Sequence, residues 1–370
     1  MKRNFGWTML MAAQALAVMM TLSCEEEIEQ STAPTASAAL VVTSDRQSGS
    51  LSAVDLETHS VAKNFQVIHS DSLCRFDPVT GLPLVLHRMG SDAVSVLSAG
   101  DDRSVATQYS VGAGTNAQDI AVASADKAYV PRLGDPRILI VHPTEGIEVG
   151  AIDLSSYADE DGNPDAVQAV HIDGQVWVTL GRIDPNWTPT EYSSVVAVET
   201  ETDTITEEIK LTGKNPVGKL RYSRAVEGLV LAEVGLWGVQ DGGIEFLDTK
   251  TSTPSGFVIT ELELGGDLSN AIIASETKGY AVIGATVGES SVTKLVSFNP
   301  KTGEKLADLI VSDGWNLEEL EVTPDGSELW VTDRTPDSPG IRIFATVDDA
   351  ELTAKPIDVG LPPSMICFVE

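Results

Sequence analysis

From residue 39 onward one pattern returns about every 48 residues, and a period of that length restricts the chain to a few repeat architectures. The pattern is an alternating strand, a tight turn, then a strand ending on an aromatic or aliphatic pair. It runs from 118–122 into Tyr129-Val130 and from 167–171 into Trp177-Val178-Thr179. It returns at 317–322, passing through Pro324-Asp325-Gly326 into Trp330-Val331-Thr332-Asp333, with weaker copies over 73–86, 220–231 and 271–282. The second-strand anchors fall at Val85, Tyr129, Trp177, Val230, Tyr280 and Trp330, spaced by 44, 48, 53, 50 and 50 residues. Each unit continues into a third strand (138–141, 194–198, 294–298) and a turn (142–146, 299–303), then a fourth strand such as 205–211. Four short strands per period of this size match one blade of a β-propeller.

The 332 residues from 39 to 370 divide into seven units of about 47. Six are complete in sequence order. The seventh is split: 39–43 reads as a second strand without its first, and 362–369 as a first strand without its second. Joining them closes the ring and removes open sheet edges. The expected fold is therefore all-β, a seven-bladed β-propeller of four-stranded antiparallel blades closed by strands from both termini, preceded by an N-terminal signal helix.

Charge narrows the function. Against 24 Lys and Arg stand 55 Asp and Glu, a formal charge of −31. A nucleic-acid binder needs a basic patch, so that class is excluded, and protein charge disfavours adsorption to anionic lipid. A mean hydropathy of +0.03, with one long apolar run at the start, excludes a polytopic membrane protein.

That run, 5–22, follows Lys2 and Arg3 and has the build of a secretory signal. It ends at Thr21-Leu22-Ser23-Cys24, which resembles a bacterial lipobox with Thr21 where the pattern prefers Leu. The resemblance implies a lipoprotein signal peptide over 1–23 and an acylated Cys24 opening a flexible tether over 24–38, with the propeller over 39–370. An ordinary cleaved signal and an uncleaved anchor remain open on the residues alone. Glu25 is not the Asp that resembles an inner-membrane retention signal, so an outer-membrane lipoprotein, periplasmic or surface-facing, is expected. The membrane is engaged through the lipid only.

The block Trp330-Val331-Thr332-Asp333, with Pro324-Asp325-Gly326 before it, resembles the repeat of YVTN-type propellers of bacterial envelope proteins. The resemblance covers essentially 39–370. Its matched positions are core and turn residues, so it implies architecture; relatives include surface proteins, binding modules and some lactonases.

Candidate chemistry is sparse. His59, His69, His87, His142 and His171 fall in no HExxH, HxH or His/Cys spacing, and no GxSxG elbow is present. The Trp residues do not repeat in every blade as a quinone-docking motif requires. Within Asp159-Glu160-Asp161-Gly162-Asn163-Pro164-Asp165, oxygen donors at Asp159, Asp161, Asn163 and Asp165 alternate along a turn as Ca²⁺ coordination requires. The spacing departs from an EF-hand, since Val170 stands where its closing Glu belongs. A solvated acidic loop is the competing reading. Between a second and a third strand, 181–192 is a long insertion whose Trp187, near Arg182, suits recognition; folding back over its own blade is the alternative. Trp315 precedes an innermost strand and is expected near the channel mouth. Cys74 and Cys367 fall on innermost strands of neighbouring blades, either as a disulfide or as two buried thiols.

Trp187, Arg182, Trp315 and Asn163 are thus the candidate partner-binding residues, and no residue is assigned a catalytic role. The chain is expected to be a monomer that requires no cofactor, with Ca²⁺ the one ion its acidic loop could use. The expected function is a non-enzymatic binding module for an envelope or extracellular protein or glycan. The alternative is a lactonase-type hydrolase with its site at the central channel mouth. Three or more His, Asp, Glu or Arg side chains converging in one pocket would be the feature to look for.

Overall fold

Strand-forming segments bounded by Gly, Asp and Asn turns have nowhere to bury two apolar faces except between neighbouring copies of themselves. The computed structural model describes residues 38–369 except Asp101 and Glu289. The signal segment, Cys24 and most of the tether lie outside the described residues. Seven antiparallel sheets follow one another around an axis. Blades one to five each order their four strands sequentially, with Ser72–Asp77, Ala121–Ser124, Ala166–Ile172, Pro216–Ser223 and Asp267–Ser275 innermost. Blade six has three strands, from Leu317–Val322 to Gly340–Ala345, and a vestigial fourth reduced to bridges from Ile341 to Ile357 and from Phe344 to Glu351.

Blade seven is the closure. Pro363–Val369 pairs antiparallel with Ala38–Ser44, which pairs onward with Gly49–Asp55. The two orphan strands of the sequence are therefore adjacent, and every second-strand anchor from Val85 to Trp330 is buried. Second strands are covered on both faces: Gly228–Glu233 is buried throughout, whereas outer Val105–Ser110 is open to solvent along most of its length.

The repeated Trp-Val-Thr has a local cause. Innermost strands carry bulges between Ala166 and Ala169 and between Leu317 and Leu320. A bulge leaves an N–H without a ladder partner. Thr179 Oγ1 accepts the Gln168 N–H at 3.0 Å, and Thr332 Oγ1 accepts that of Glu319 at 2.8 Å. In blade four the bulge contains Gly218 at φ +72°, where a Cβ would stand 2.9 Å from the Ser269 carbonyl oxygen. A Lys-x-Tyr repeat ties blades together: Tyr280 donates to Asp349 at 2.7 Å with Lys278 at 2.6 Å, and Tyr129 and Lys127 hold Asp203 likewise.

Candidate functional site

Each innermost strand runs from one face of the ring, here the top, to the bottom. Loops after second and fourth strands therefore lie on top, and the first-to-second turns, such as Asp173-Gly174 and Pro324-Asp325-Gly326, lie below. Both long insertions, 155–165 and 181–192, are top loops. Ala38 opens a second strand and so lies at the bottom.

The axis is filled by charge. Arg75 Nε donates to Asp119 Oδ1 at 2.9 Å, Arg221 Nη2 to Glu319 Oε1 at 2.6 Å, and Lys219 to Glu321. Asn270 ties the set by donating to Glu319 Oε2 and accepting from Arg221 Nη1, both at 3.0 Å. Three cations meet three anions, so the plug is neutral. Burial raises the pKa of Glu319 above the usual range despite Arg221; in Glu321 burial acts the same way, but Lys219 and Arg221 outweigh it and hold the group below that range. Such a cluster keeps its charges only because each is hydrogen-bonded.

Above the plug, the top mouth opens as a cavity of about 570 Å³ between blades one, six and seven. Arg46, His69, Asp71, Arg88, Glu318 and Arg334 converge on it. Arg334 is locked: it meets Glu318 at 3.2 Å and donates to the carbonyls of Ser44, Pro362 and Pro363 at 2.9–3.2 Å. Arg88 Nε donates to Asp71 at 2.9 Å. Arg46 makes a single 3.4 Å contact to Glu318, with its side chain 75% exposed. Burial pushes Glu318 above the ordinary carboxylate range, and Arg334, Arg46 and Arg88 only partly oppose it.

The predicted residues are distributed over the same face. The two insertions meet around a second cavity of about 720 Å³ lined by Asp159, Glu160, Asp161, Arg182, Asp184 and Glu191. Trp187 stands at the tip of its loop, 70% exposed at φ +62°. Arg182 points inward, stacked 4.2 Å over Tyr192 and donating to the carbonyls of Tyr157 and Ala158. Asn163 donates to the Leu133 carbonyl, and Asp165 accepts the Ile183 N–H at 2.7 Å. Burial pushes Asp165 up to about 6. Asn163 and Asp165 therefore tie their loop to the backbone of two neighbouring loops, and among the described residues no three His, Cys, Asp or Glu side chains are grouped as metal ligands.

Trp315 is half exposed and lies over Gly284, edge-on to Trp237 at 6.4 Å, and is not part of the mouth cavity's lining. Cys74 and Cys367 are buried free thiols in one apolar cluster. His87 is a core imidazole between Ser72 and Ser95 hydroxyls at 2.9 and 2.8 Å, with burial lowering its pKa to about 4.

The mouth residues escaped the sequence reading, apart from His69 as one of five histidines. They come one or two per loop from distant units, and Arg46 and Glu318 are 272 residues apart. The signal that could have found them is positional: polar residues at each junction preceding a first strand or following a second.

No family model and no curated protein matches this chain. Solved structures do. A dihydro-heme d1 dehydrogenase, NirN, aligns at TM-score 0.60 with 15% identity over 90% of this chain and 75% of its own. The hydrazine synthase of Kuenenia stuttgartiensis aligns at 0.63 with 14% identity over 81% and 91%. A proposed 6-phosphogluconolactonase from Bacteroides fragilis aligns at 0.59 with 12% identity over 92% and 98%. At these identities the likeness is one of fold, which hosts unrelated activities.

Proposed function

We propose that this chain is a YVTN-type, lipid-anchored propeller of the bacterial outer membrane that binds a protein or glycan partner through its top face. The observation that carries the reading is the gathering of the mouth cavity, the acidic cavity, Trp187 and the Trp237–Trp315 pair on the face opposite Ala38. The neutral plug below the mouth supports a face that binds over a channel that conducts. An acyl anchor at Cys24, joined through the tether to the bottom face, would leave the top free for a partner. A cysteine placed at Thr190, on top, should crosslink the partner, and one at Asp325, below, should not; the reverse result sinks the face assignment. Labelling with a palmitate analogue should mark wild type and leave Cys24→Ala unmarked.

A second reading, a lactonase-type hydrolase at the channel mouth, is favoured by one observation: six ionisable side chains converge there, Glu318 with a raised pKa among them. The binding reading is preferred because Asp71 and Glu318 are each engaged by a guanidinium, which suits charge neutralisation better than proton transfer. Turnover of a lactone or ester panel that is lost in Glu318→Gln would overturn that preference.

A further inference from the structure

The chain carries −31 overall, yet the top mouth holds three guanidiniums against two carboxylates. A local excess of positive charge inside a strongly acidic protein is not explained by solubility or by folding, because two of the three arginines already suffice to hold both carboxylates. Arg334 answers Glu318 and the closing strand; Arg88 answers Asp71. Arg46 is the surplus. Among the described residues its side chain makes one polar contact, the 3.4 Å approach to Glu318, at the outer limit of a hydrogen bond.

The loop nevertheless fixes where Arg46 stands. Asp45 Oδ1 accepts from the N–H groups of Gln47 at 2.9 Å and Ser48 at 2.6 Å, and Ser44 Oγ accepts the Arg46 N–H at 2.9 Å. Arg46 itself sits at φ +70°, a left-handed conformation that costs a non-glycine residue energy and persists only where surroundings impose it. Met89, across the cavity, is also left-handed, at φ +33°. Two loops of different blades thus hold strained positions at the same opening. His69 stands at the same opening, its Nδ1 3.2 Å from the Asp71 N–H and 3.1 Å from the Asp71 carbonyl oxygen. Below, Met365 gives the cavity an apolar wall and Arg75 approaches its sulfur at 3.7 Å.

We infer that the top mouth is a binding site for a small organic anion, a carboxylate or phosphate, with Arg46 and Arg88 as its charge contacts and His69 beside them. The cavity of about 570 Å³ has the size of a small-molecule site. Guanidinium forks match the oxygen spacing of both anion types, which is why the chemistry is shared. The anion takes up the N–H groups that Arg46 leaves unused, and Glu318 remains with Arg334. This inference rests on the top face being the ligand-binding face.

Full-length protein in detergent would be titrated calorimetrically with citrate and, separately, with inorganic phosphate, at constant ionic strength. Saturable one-to-one binding of either is expected, and the stronger of the two identifies a carboxylate or a phosphate as the natural group. Arg46→Gln, an exposed side chain whose loss leaves the fold intact, should weaken binding about tenfold. Arg46→Gln with Arg88→Gln should weaken it further, with an unchanged melting temperature for the single variant as control. No saturable heat with either anion at millimolar concentration overturns the inference, as does binding that Arg46→Gln leaves undiminished. Partner crosslinking at Thr190 in the absence of anion binding would overturn this inference alone and leave the top-face reading standing.

Discussion

Arginines stand at two depths along the propeller axis and are held in opposite ways. In the plug, Arg221 is about one-tenth exposed and donates to Glu319, Asn270 and the carbonyls of Lys219, Ala271 and Leu320. At the mouth, Arg46 is three-quarters exposed with one long contact. Burying a guanidinium costs several kcal/mol unless carboxylates and carbonyls replace its water, and Arg221 has that replacement on both Nη atoms. Arg46 keeps its water, so its charge is available to something arriving from outside. The same side chain is structural at one depth and receptive at the other, and what separates them is how far the protein replaces the water on the two Nη atoms.

The largest expected effect tests the deeper level. Arg221→Ala leaves Glu319 buried without its cation and should cost about 3–5 kcal/mol in denaturant unfolding. Arg221→Met combined with Glu319→Met should cost less than that single change, since it removes both charges. A loss below about 1 kcal/mol for Arg221→Ala would place it with surface pairs and dissolve the contrast.

An intermediate effect comes from two acids that, among the described residues, face no cation. In blade four, Glu233 accepts the Gly213 N–H at 3.0 Å and Glu245 that of Thr212 at 2.9 Å, both residues fully buried. Their remaining oxygens have no other donor, so one proton shared between the carboxyls satisfies both. Burial, with Glu245 next, raises Glu233 well above its ordinary value of 4.5. The unfolded chain releases this proton first as pH rises, so the contribution is full below the ordinary value and lost as pH climbs through the raised one. Wild type should therefore lose stability relative to Glu233→Gln in urea melts as pH climbs above the ordinary value of 4.5. Parallel curves for the two proteins would mean that the pair is not protonated.

The smallest effect belongs to the mouth. Arg46→Gln should change unfolding free energy by no more than about 0.5 kcal/mol, because an exposed side chain with one marginal contact holds nothing in place. A loss comparable to that of Arg221→Ala would make Arg46 structural and remove the asymmetry between the two depths.

Much of the fold could be read from particular residues. The recurrence of Tyr129, Trp177, Tyr280 and Trp330 marks second strands, because those strands are buried on both faces and can pack a large aromatic side chain between blades. The unmatched strands 39–43 and 362–369 announce ring closure because an unpaired edge is costly. Trp187 was legible as part of an insertion outside the blade strands, but whether it stood free or folded back over its blade was left open, and its 70% exposure settles that. Arg182 and Asn163 were legible as polar and nearby, but their direction was not. Each turns inward to carbonyls of another segment, Tyr157 and Leu133, whose approach depends on how two loops pack.

The sequence by itself determined the period, the strand order, the closure and the single face that carries the insertions. All of these follow from local apolar alternation and turn chemistry, repeated often enough to be counted. Only the tertiary structure decided that Arg75, Asp119, Lys219, Arg221, Glu319 and Glu321 neutralise one another while Arg46 is left over. Each blade contributes one or two polar side chains at a given height on the axis. Which of them meet depends on bulge register and side-chain reach across a closed ring, and a contact such as Arg46 to Glu318, spanning 272 residues, leaves no trace in a local pattern.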